Sequence, residues 1–395
     1  MIKGLFKRSG GYFVGLMLSK LATTVIVIYL AKLFTPHEFG QVSYLLTLIT
    51  LATLIGDFGL KQWYQKQVHL FREKQLFGQL LSGRFISLMI FMVLIACLLW
   101  TTQPFTQAVS WLILLALIPE AFLSVTDAYY LTKKQPKKIA IKKILVALFP
   151  GLAILLFRQQ ISLLILGSAL VIGDLVTLAW YLPWPLLKDW AFSLKRGLKA
   201  LKQSAGYALL ITTSFAYARG DSLIIELQLG HTALGIYSVA YRYLEGLSLL
   251  PTALAENLFH ISAKKRNLSL NQVGKITLIM LLLGCLVSTG LYFSAGLLTS
   301  TLIGPAYALS TPVLQILSLV LVLFFINSPL STIVQSSDHL KSFLPWGIAN
   351  TLLNLGLNLT LIPIFGILTA AWTMLVTECL GLIINLIFIK KIYRS

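Results

Sequence analysis

Leu33-Phe34-Thr35-Pro36-His37-Glu38-Phe39-Gly40-Gln41-Val42-Ser43-Tyr44 joins two apolar runs, 11–34 and 41–60. Each run is about 20 residues long, the length a helix needs to cross about 30 Å of hydrocarbon. The turn between them is too short to hold an exported domain, so the pair reads as a hairpin of two membrane spans. The same window predicts ten more spans, at 82–102, 108–130, 140–157, 161–183, 204–227, 233–256, 274–298, 310–335, 342–361 and 367–389. Composition agrees. Of 395 residues, 57% are hydrophobic and 11% charged, with a mean hydropathy of +0.84. A chain folding in water carries about a quarter of its residues charged.

The net charge of +19 raises nucleic acid as a partner, and the placement of the charges removes it. Lysines and arginines alternate with the spans and form no continuous stripe. Of 32 basic residues, 27 fall on the N-terminus, the alternate loops and the C-terminus, and only Lys32 and Arg158 fall on the other side. That bias predicts an even number of spans with both termini in the cytoplasm. The apolar stretch after Lys3, Lys7 and Arg8 is longer than a signal-peptide core and reads as an uncleaved first span. Cys97, Cys285 and Cys379 each sit in an apolar run, which supports neither a disulfide framework nor a metal site.

Between the sixth and seventh spans, Trp190, Leu194, Leu198 and Leu201 recur at helical spacing among Lys188, Lys195, Arg196, Lys199 and Lys202. This pattern predicts an amphipathic linker, 184–203, held at an anionic membrane surface. Six spans precede it and six follow. Leu229-Gly230-His231-Thr232-Ala233-Leu234-Gly235-Ile236-Tyr237-Ser238 echoes the opening stretch, and aligning Gly40 with Gly235 gives an offset of 195 residues. Six spans return the chain to its starting side. The expected architecture is therefore all-α, with about twelve transmembrane helices in two six-helix lobes, 1–183 and 204–395. The lobes would be related by a pseudo-two-fold axis along the membrane normal and enclose a central cavity.

Several short stretches, in order along the chain, carry a resemblance. They are Leu30-Ala31-Lys32-Leu33 through Glu38-Phe39-Gly40; Asp57-Phe58-Gly59-Leu60; and Arg219-Gly220-Asp221. Further along come Gly235-Ile236-Tyr237-Ser238-Val239-Ala240-Tyr241-Arg242 with Glu245 and Pro251, and Pro363-Ile364-Phe365-Gly366-Ile367 with Ala370-Ala371. The chain resembles the polysaccharide repeat-unit (O-antigen type) flippases of the multidrug/oligosaccharidyl-lipid/polysaccharide exporter superfamily. His260 stands where a proline is common in that family, and Thr369 where a glycine is common. The resemblance implies a bacterial inner-membrane protein of polysaccharide or lipopolysaccharide assembly. It would move undecaprenyl-pyrophosphate-linked oligosaccharide from the inner to the outer leaflet by alternating access. The partners implied are membrane lipids, the lipid-linked oligosaccharide and other polysaccharide assembly proteins, with no nucleic acid and no cofactor. Drug exporters of the same superfamily share the two-lobe plan, so a cation-coupled exporter of small molecules is the alternative.

Charged groups inside spans cost about 2.5–3.5 kcal/mol each at a helix centre, so they face a partner or a wet path. Lys20 lies about 14 Å into its span, Arg219 about 22 Å and Arg242 about 14 Å, at 1.5 Å per residue. Two readings stand for these cations. They line a cavity and bind pyrophosphate, which suits arginine forks and lysine point charges, or they are neutralised internally. Glu245 is three residues from Arg242, on one helix face, whereas Asp221 is two from Arg219 and faces elsewhere. Glu120, Asp174, Glu245 and Glu378 are candidates for proton or cation coupling, with structural pairing as the alternative. Asn350, Asn354 and Asn358 form a polar stripe that suits either sugar hydroxyls or helix-to-helix hydrogen bonds. Gly11 and Gly15 suit close helix packing. Neither a Walker-type phosphate loop nor a His-Glu-x-x-His site occurs. A membrane-embedded glycan polymerase or ligase is the enzymatic rival, and the widest outer loop, Thr299–Leu309, holds no charged residue.

Overall fold

The structure is a computed structural model and describes residues 24–68, 73–133, 135–188, 190–252, 255, 269–337 and 339–393, with only the backbone at Glu73 and Pro136. All secondary structure among these residues is helical. In chain order the helices are α1 (Thr24–Leu33), α2 (Pro36–Leu54), α3 (Leu60–Gln67), α4 (Glu73–Thr102), α5 (Gln107–Thr132), α6 (Pro136–Leu156) and α7 (Leu163–Tyr181). A helix over Leu194–Leu247 follows, broken by non-helical backbone at Gly230, and gives α8 (194–229) and α9 (231–247). The last four are α10 (Leu270–Gly296), α11 (Ser310–Gln335), α12 (Leu340–Phe365) and α13 (Leu368–Ile392). Nine helices among the described residues are long and apolar enough to cross a bilayer, counting α8 and α9 as one.

Local chemistry sets the boundaries. Thr35-Pro36-His37-Glu38 is a capping box. The Glu38 backbone N–H donates to Thr35 Oγ1 at 3.3 Å, and the Thr35 N–H donates to the Glu38 carboxylate at 2.9 Å. Pro36, whose fixed φ suits the first helical position, then starts α2 five residues earlier than expected. The expected second span, 41–60, ends early as well. Its last residues form a turn in which Phe58 and Gly59 have positive φ, and the chain restarts as α3. Asp57 supports that turn by accepting from the Lys61 N–H at 3.0 Å and the Ser124 hydroxyl at 2.9 Å.

The described residues divide into two compact units. One contains Gln41–Phe215, and the other contains Thr24–Gly40 with Ala216–Ser395. In the first, α5 packs on α4 and α7, and α6 packs on α7. Its core includes Leu60, Trp63, Tyr64, Phe77, Leu80 and Val125. In the second, α11 packs on α10 and α13, and α12 packs on α13.

The linker region contains one short helical turn, Trp184–Leu187. Trp190 precedes the next helix and packs against the first unit's core. The cationic stretch from Leu194 onward is the beginning of α8, with no break before Gly230. What α8 buries there is a stripe of small residues, Gly197, Ala200, Ser204 and Ala208. A Cβ on Gly197 would come within 2.9 Å of the Ser82 backbone.

In the second unit, the hairpin turn before α2 crosses the turn between α8 and α9. A Cβ on Gly40 would lie 1.8 Å from the His231 carbonyl oxygen, and a Cβ on Gly235 would lie 1.9 Å from the Pro36 carbonyl oxygen. Pro36 and His231 are themselves 195 residues apart, as are Gly40 and Gly235, so the two contacts exchange under that offset. His37 Nδ1 and Thr232 Oγ1, separated by the same 195 positions, are 3.5 Å apart. The repeat read from sequence thus has a self-complementary contact at its glycines. Gly40→Ala and Gly235→Ala each force backbones apart and are expected to cost about 1–3 kcal/mol, the usual range for overpacking. Thermal unfolding of the purified protein in detergent measures this, and melting at the wild-type temperature contradicts the close approach.

Candidate functional site

The sequence-selected charges of the second unit converge because α8 and α9 form a tight antiparallel hairpin. Gly230 has φ 79° and ψ −178°, a region essentially reserved for glycine. Eleven residues separate it from Arg219 and twelve from Arg242, which is about 17 and 18 Å along each helix at 1.5 Å per residue. Both arginines therefore sit at one level along the hairpin.

They share a single carboxylate. Arg219 Nη2 donates to Glu245 Oε1 at 2.6 Å, and Arg242 Nη1 donates to Glu245 Oε2 at 2.8 Å. Both guanidiniums pair with Glu245, and the buried Asp221 also acts electrostatically on Arg219. Each guanidinium has five N–H donors, and the carboxylate takes one from each. Arg242 Nε is buried with no hydrogen-bond partner among the described residues. The guanidinium of Arg219 stacks 5.0 Å from the Tyr241 ring centroid, and the Tyr241 hydroxyl donates to the Ala218 carbonyl at 2.7 Å. The arginine side chains are 15% and 12% exposed, and that of Glu245 is 40% exposed.

Asp221 is buried inside the hairpin. It accepts from the Tyr237 hydroxyl and from the Ser222 N–H at 2.6 Å, clamping α8 to α9. The asparagine stripe faces α13. Asn350 Nδ2 donates to the Thr377 carbonyl at 3.0 Å, Asn354 Nδ2 to Thr377 Oγ1 at 3.0 Å, and Asn358 Nδ2 to Asn354 Oδ1 at 3.1 Å. Glu378 accepts from the Tyr217 hydroxyl and from Asn327 Nδ2, the latter at 2.7 Å. Asn385 Nδ2 donates to Asn327 Oδ1 at 3.2 Å. These bonds tie α8, α11, α12 and α13 together.

Glu120 and Asp174 lie in the first unit, within a buried cluster that also holds Arg84 and Lys142, which the count of basic residues places with the alternate loops although they fall inside the expected spans 82–102 and 140–157. Arg84 is 3% exposed and Lys142 is 9% exposed, so their placement with the loops is corrected. Arg84 Nη2 donates to the Thr53 carbonyl at 3.3 Å, and Arg84 Nε to that of Ala121 at 3.4 Å. Lys142 Nζ pairs with Asp127 at 2.8 Å, and the Tyr181 hydroxyl donates to the same carboxylate at 2.9 Å. Glu120 senses Lys142, Asp127 and Arg84 electrostatically, and Asp174 senses Glu120 and Lys142. Asp174 Oδ1 is buried without a hydrogen-bond partner among the described residues. Lys20, Gly11, Gly15 and His260 lie outside the described residues. Sequence reasoning missed Tyr217, Tyr237, Tyr241, Asn327 and Asn385. Their one shared signal is a polar atom on a residue inside a long apolar run.

The chain belongs to the family described as polysaccharide biosynthesis protein, whose pattern matches residues 6–259. Solved structures share its fold, among them the following three. The lipid II flippase MurJ, inward closed, is 11% identical with a TM-score of 0.78, over 96% of this chain and 87% of that one. An inward-facing multidrug resistance transporter of the MATE family, in the MOP superfamily, is 14% identical with a TM-score of 0.69, over 95% and 96%. A MOP superfamily transporter from Pyrococcus furiosus is 13% identical with a TM-score of 0.57, over 97% and 96%. No curated protein matches the chain. These likenesses identify an all-helical integral membrane protein with the MOP transporter fold. Tyr237→Phe leaves Asp221 buried with a donor missing and is expected to cost about 1–3 kcal/mol. An unchanged unfolding midpoint in detergent removes the clamp.

Proposed function

We propose that the chain is a flippase for polyprenyl-diphosphate-linked oligosaccharide, of the undecaprenyl type. It would carry the lipid-linked unit from the inner to the outer leaflet of a bacterial cytoplasmic membrane. One observation carries the reading: two arginines share one carboxylate and keep donors that it does not take, Arg242 Nε among them, buried with no partner among the described residues. A diphosphate supplies acceptors for guanidinium forks, and cationic groups inside a span face a partner or a wet path. Membership of a polysaccharide biosynthesis family supports a glycan-bearing lipid over a drug. The bias of basic residues supports cytoplasmic termini. In this reading Arg219 and Arg242 bind the diphosphate, with Lys20 as a third cation. Glu245 holds both arginines in place when no cargo is bound. Asp221 and the asparagine stripe shape the hairpin and the helices behind it.

Coupling to a proton or cation falls to Asp174 and Glu120, because Asp174 has an oxygen without a partner, while Glu378 has its donors in place. Arg219→Ala and Arg242→Ala are each expected to abolish export of lipid-linked glycan in cells lacking their own flippase, at normal membrane levels of the protein. Lysine at either position is expected to retain part of it. Normal export by both alanine variants overturns the binding role, and drug resistance without glycan rescue moves the assignment to an exporter. Asp174→Asn is expected to make export insensitive to collapse of the proton gradient. Export that responds as in the wild type removes the coupling role.

A further inference from the structure

In the first unit, α5 and α7 each carry polar residues seven positions apart. Glu120, Ser124 and Asp127 fall on one face of α5, and Asp174, Thr177 and Tyr181 on one face of α7. The two helices pack on each other, and the rows meet at two levels. At one, Glu120 acts electrostatically on Asp174. At the other, the Tyr181 hydroxyl donates to Asp127 Oδ1 at 2.9 Å. Seven residues make about two turns, so the levels lie about 10 Å apart.

Lys142 of α6 serves both levels. Its Nζ is 2.8 Å from Asp127 Oδ2 and 5.8 Å from the Tyr181 ring centroid, and it acts electrostatically on Glu120 and Asp174 as well. The other charged groups around the cluster are engaged among the described residues. Arg84 of α4 donates to the Thr53 and Ala121 carbonyls and acts on Asp57 and Glu120. Asp57 accepts from the Lys61 N–H and from Ser124. Lys138 donates to the Tyr130 hydroxyl at 3.3 Å. Lys61 of α3 holds its Nζ 4.0 Å from Asp127 Oδ2, with its side chain 33% exposed. Asp174 is held less well. Its Oδ1 and the Thr177 hydroxyl beside it are both buried with no hydrogen-bond partner among the described residues.

We propose that Lys142 is a positioning residue that moves between the two levels: it pairs with Asp127 while Glu120 and Asp174 are neutral, and turns to them when they lose a proton. The proposal rests on the reading that these two acids couple transport to protons. The proton passes to water, and the ammonium keeps its own three and moves only as a charge. A buried carboxylate without a counter-charge is expensive, which draws the ammonium across. Lysine suits the task, being a point charge on a flexible four-carbon stem. Its departure leaves Asp127 to Lys61, which has 4.0 Å to close. Asp127 then exchanges a brace from α6 for one from α3, and the charge of two buried acids becomes a change of helix contact.

The test is an infrared titration of the full chain in phospholipid vesicles, following the carbonyl band of protonated carboxyl groups as pH rises. The part of the band missing from Asp174→Asn or Glu120→Gln belongs to these acids. Lys142→Gln removes a cation that favours their charged forms, so the pH at which that part is lost should rise by about one unit or more. Lys142→Arg should restore most of the wild-type behaviour. Lys61→Gln decides whether the ammonium moves. Lys61 is partly exposed and is not among the charges that act on either acid. Its loss leaves Asp127 holding Lys142 more firmly, so the same threshold should rise, but only while Lys142 is present. An unchanged melting temperature checks that each variant folds, and if Lys142→Gln does not, the Lys61 variant carries the test alone. Equal thresholds in the wild type and Lys142→Gln, no shift in Lys61→Gln, or a Lys61 shift that persists without Lys142 each overturn the proposal and leave the coupling acids standing. A wild-type band to which neither acid contributes at any pH removes proton coupling, and the proposal with it.

Discussion

One carboxylate between two guanidiniums, eleven to fifteen residues from the Gly230 turn of the α8–α9 hairpin, is the constraint on which the rest of the second unit depends. A lone arginine inside a span has no stable place, and two without Glu245 would repel each other as well. The hairpin makes the arrangement possible. Gly230 turns the chain with a backbone conformation closed to other residues, so positions equally distant from it meet across the two helices. Tyr237 on Asp221 and Tyr241 on the Ala218 carbonyl fix their register. The arginines are thereby held near one another whether or not an anion is present. A site prepared in advance does not have to be ordered again when its ligand arrives.

The other polar groups divide into those that hold helices together and those left with something to bind. The asparagine stripe and Glu378 belong to the first kind. Their hydrogen bonds run between helices, which in hydrocarbon is a modest but directional attraction. Asp127 belongs there too, held by Lys142 and Tyr181. Arg242 Nε and Asp174 Oδ1, buried with no hydrogen-bond partner among the described residues, are of the second kind. In the proposed mechanism anion recognition and coupling thus fall to separate groups. The fold is shared with a lipid II flippase and with a multidrug resistance transporter.

Apolar runs of bilayer length, with lysines and arginines kept to alternate loops, determined by themselves that this chain is an all-helical membrane protein. Bilayer thickness and the cost of charge in lipid act on each segment separately, without reference to its neighbours. The 195-residue repeat was legible for a similar reason: a close backbone approach demands glycine at both Gly40 and Gly235. The pairing of Arg242 with Glu245 could be read from helical spacing alone. Only the tertiary structure decided that Arg219 shares that carboxylate, that Arg84 and Lys142 are buried rather than in loops, and that the asparagines face α13. Those outcomes depend on which helix faces which. In a span that is apolar nearly all round, little periodicity marks the buried face, so the information lies in the packing.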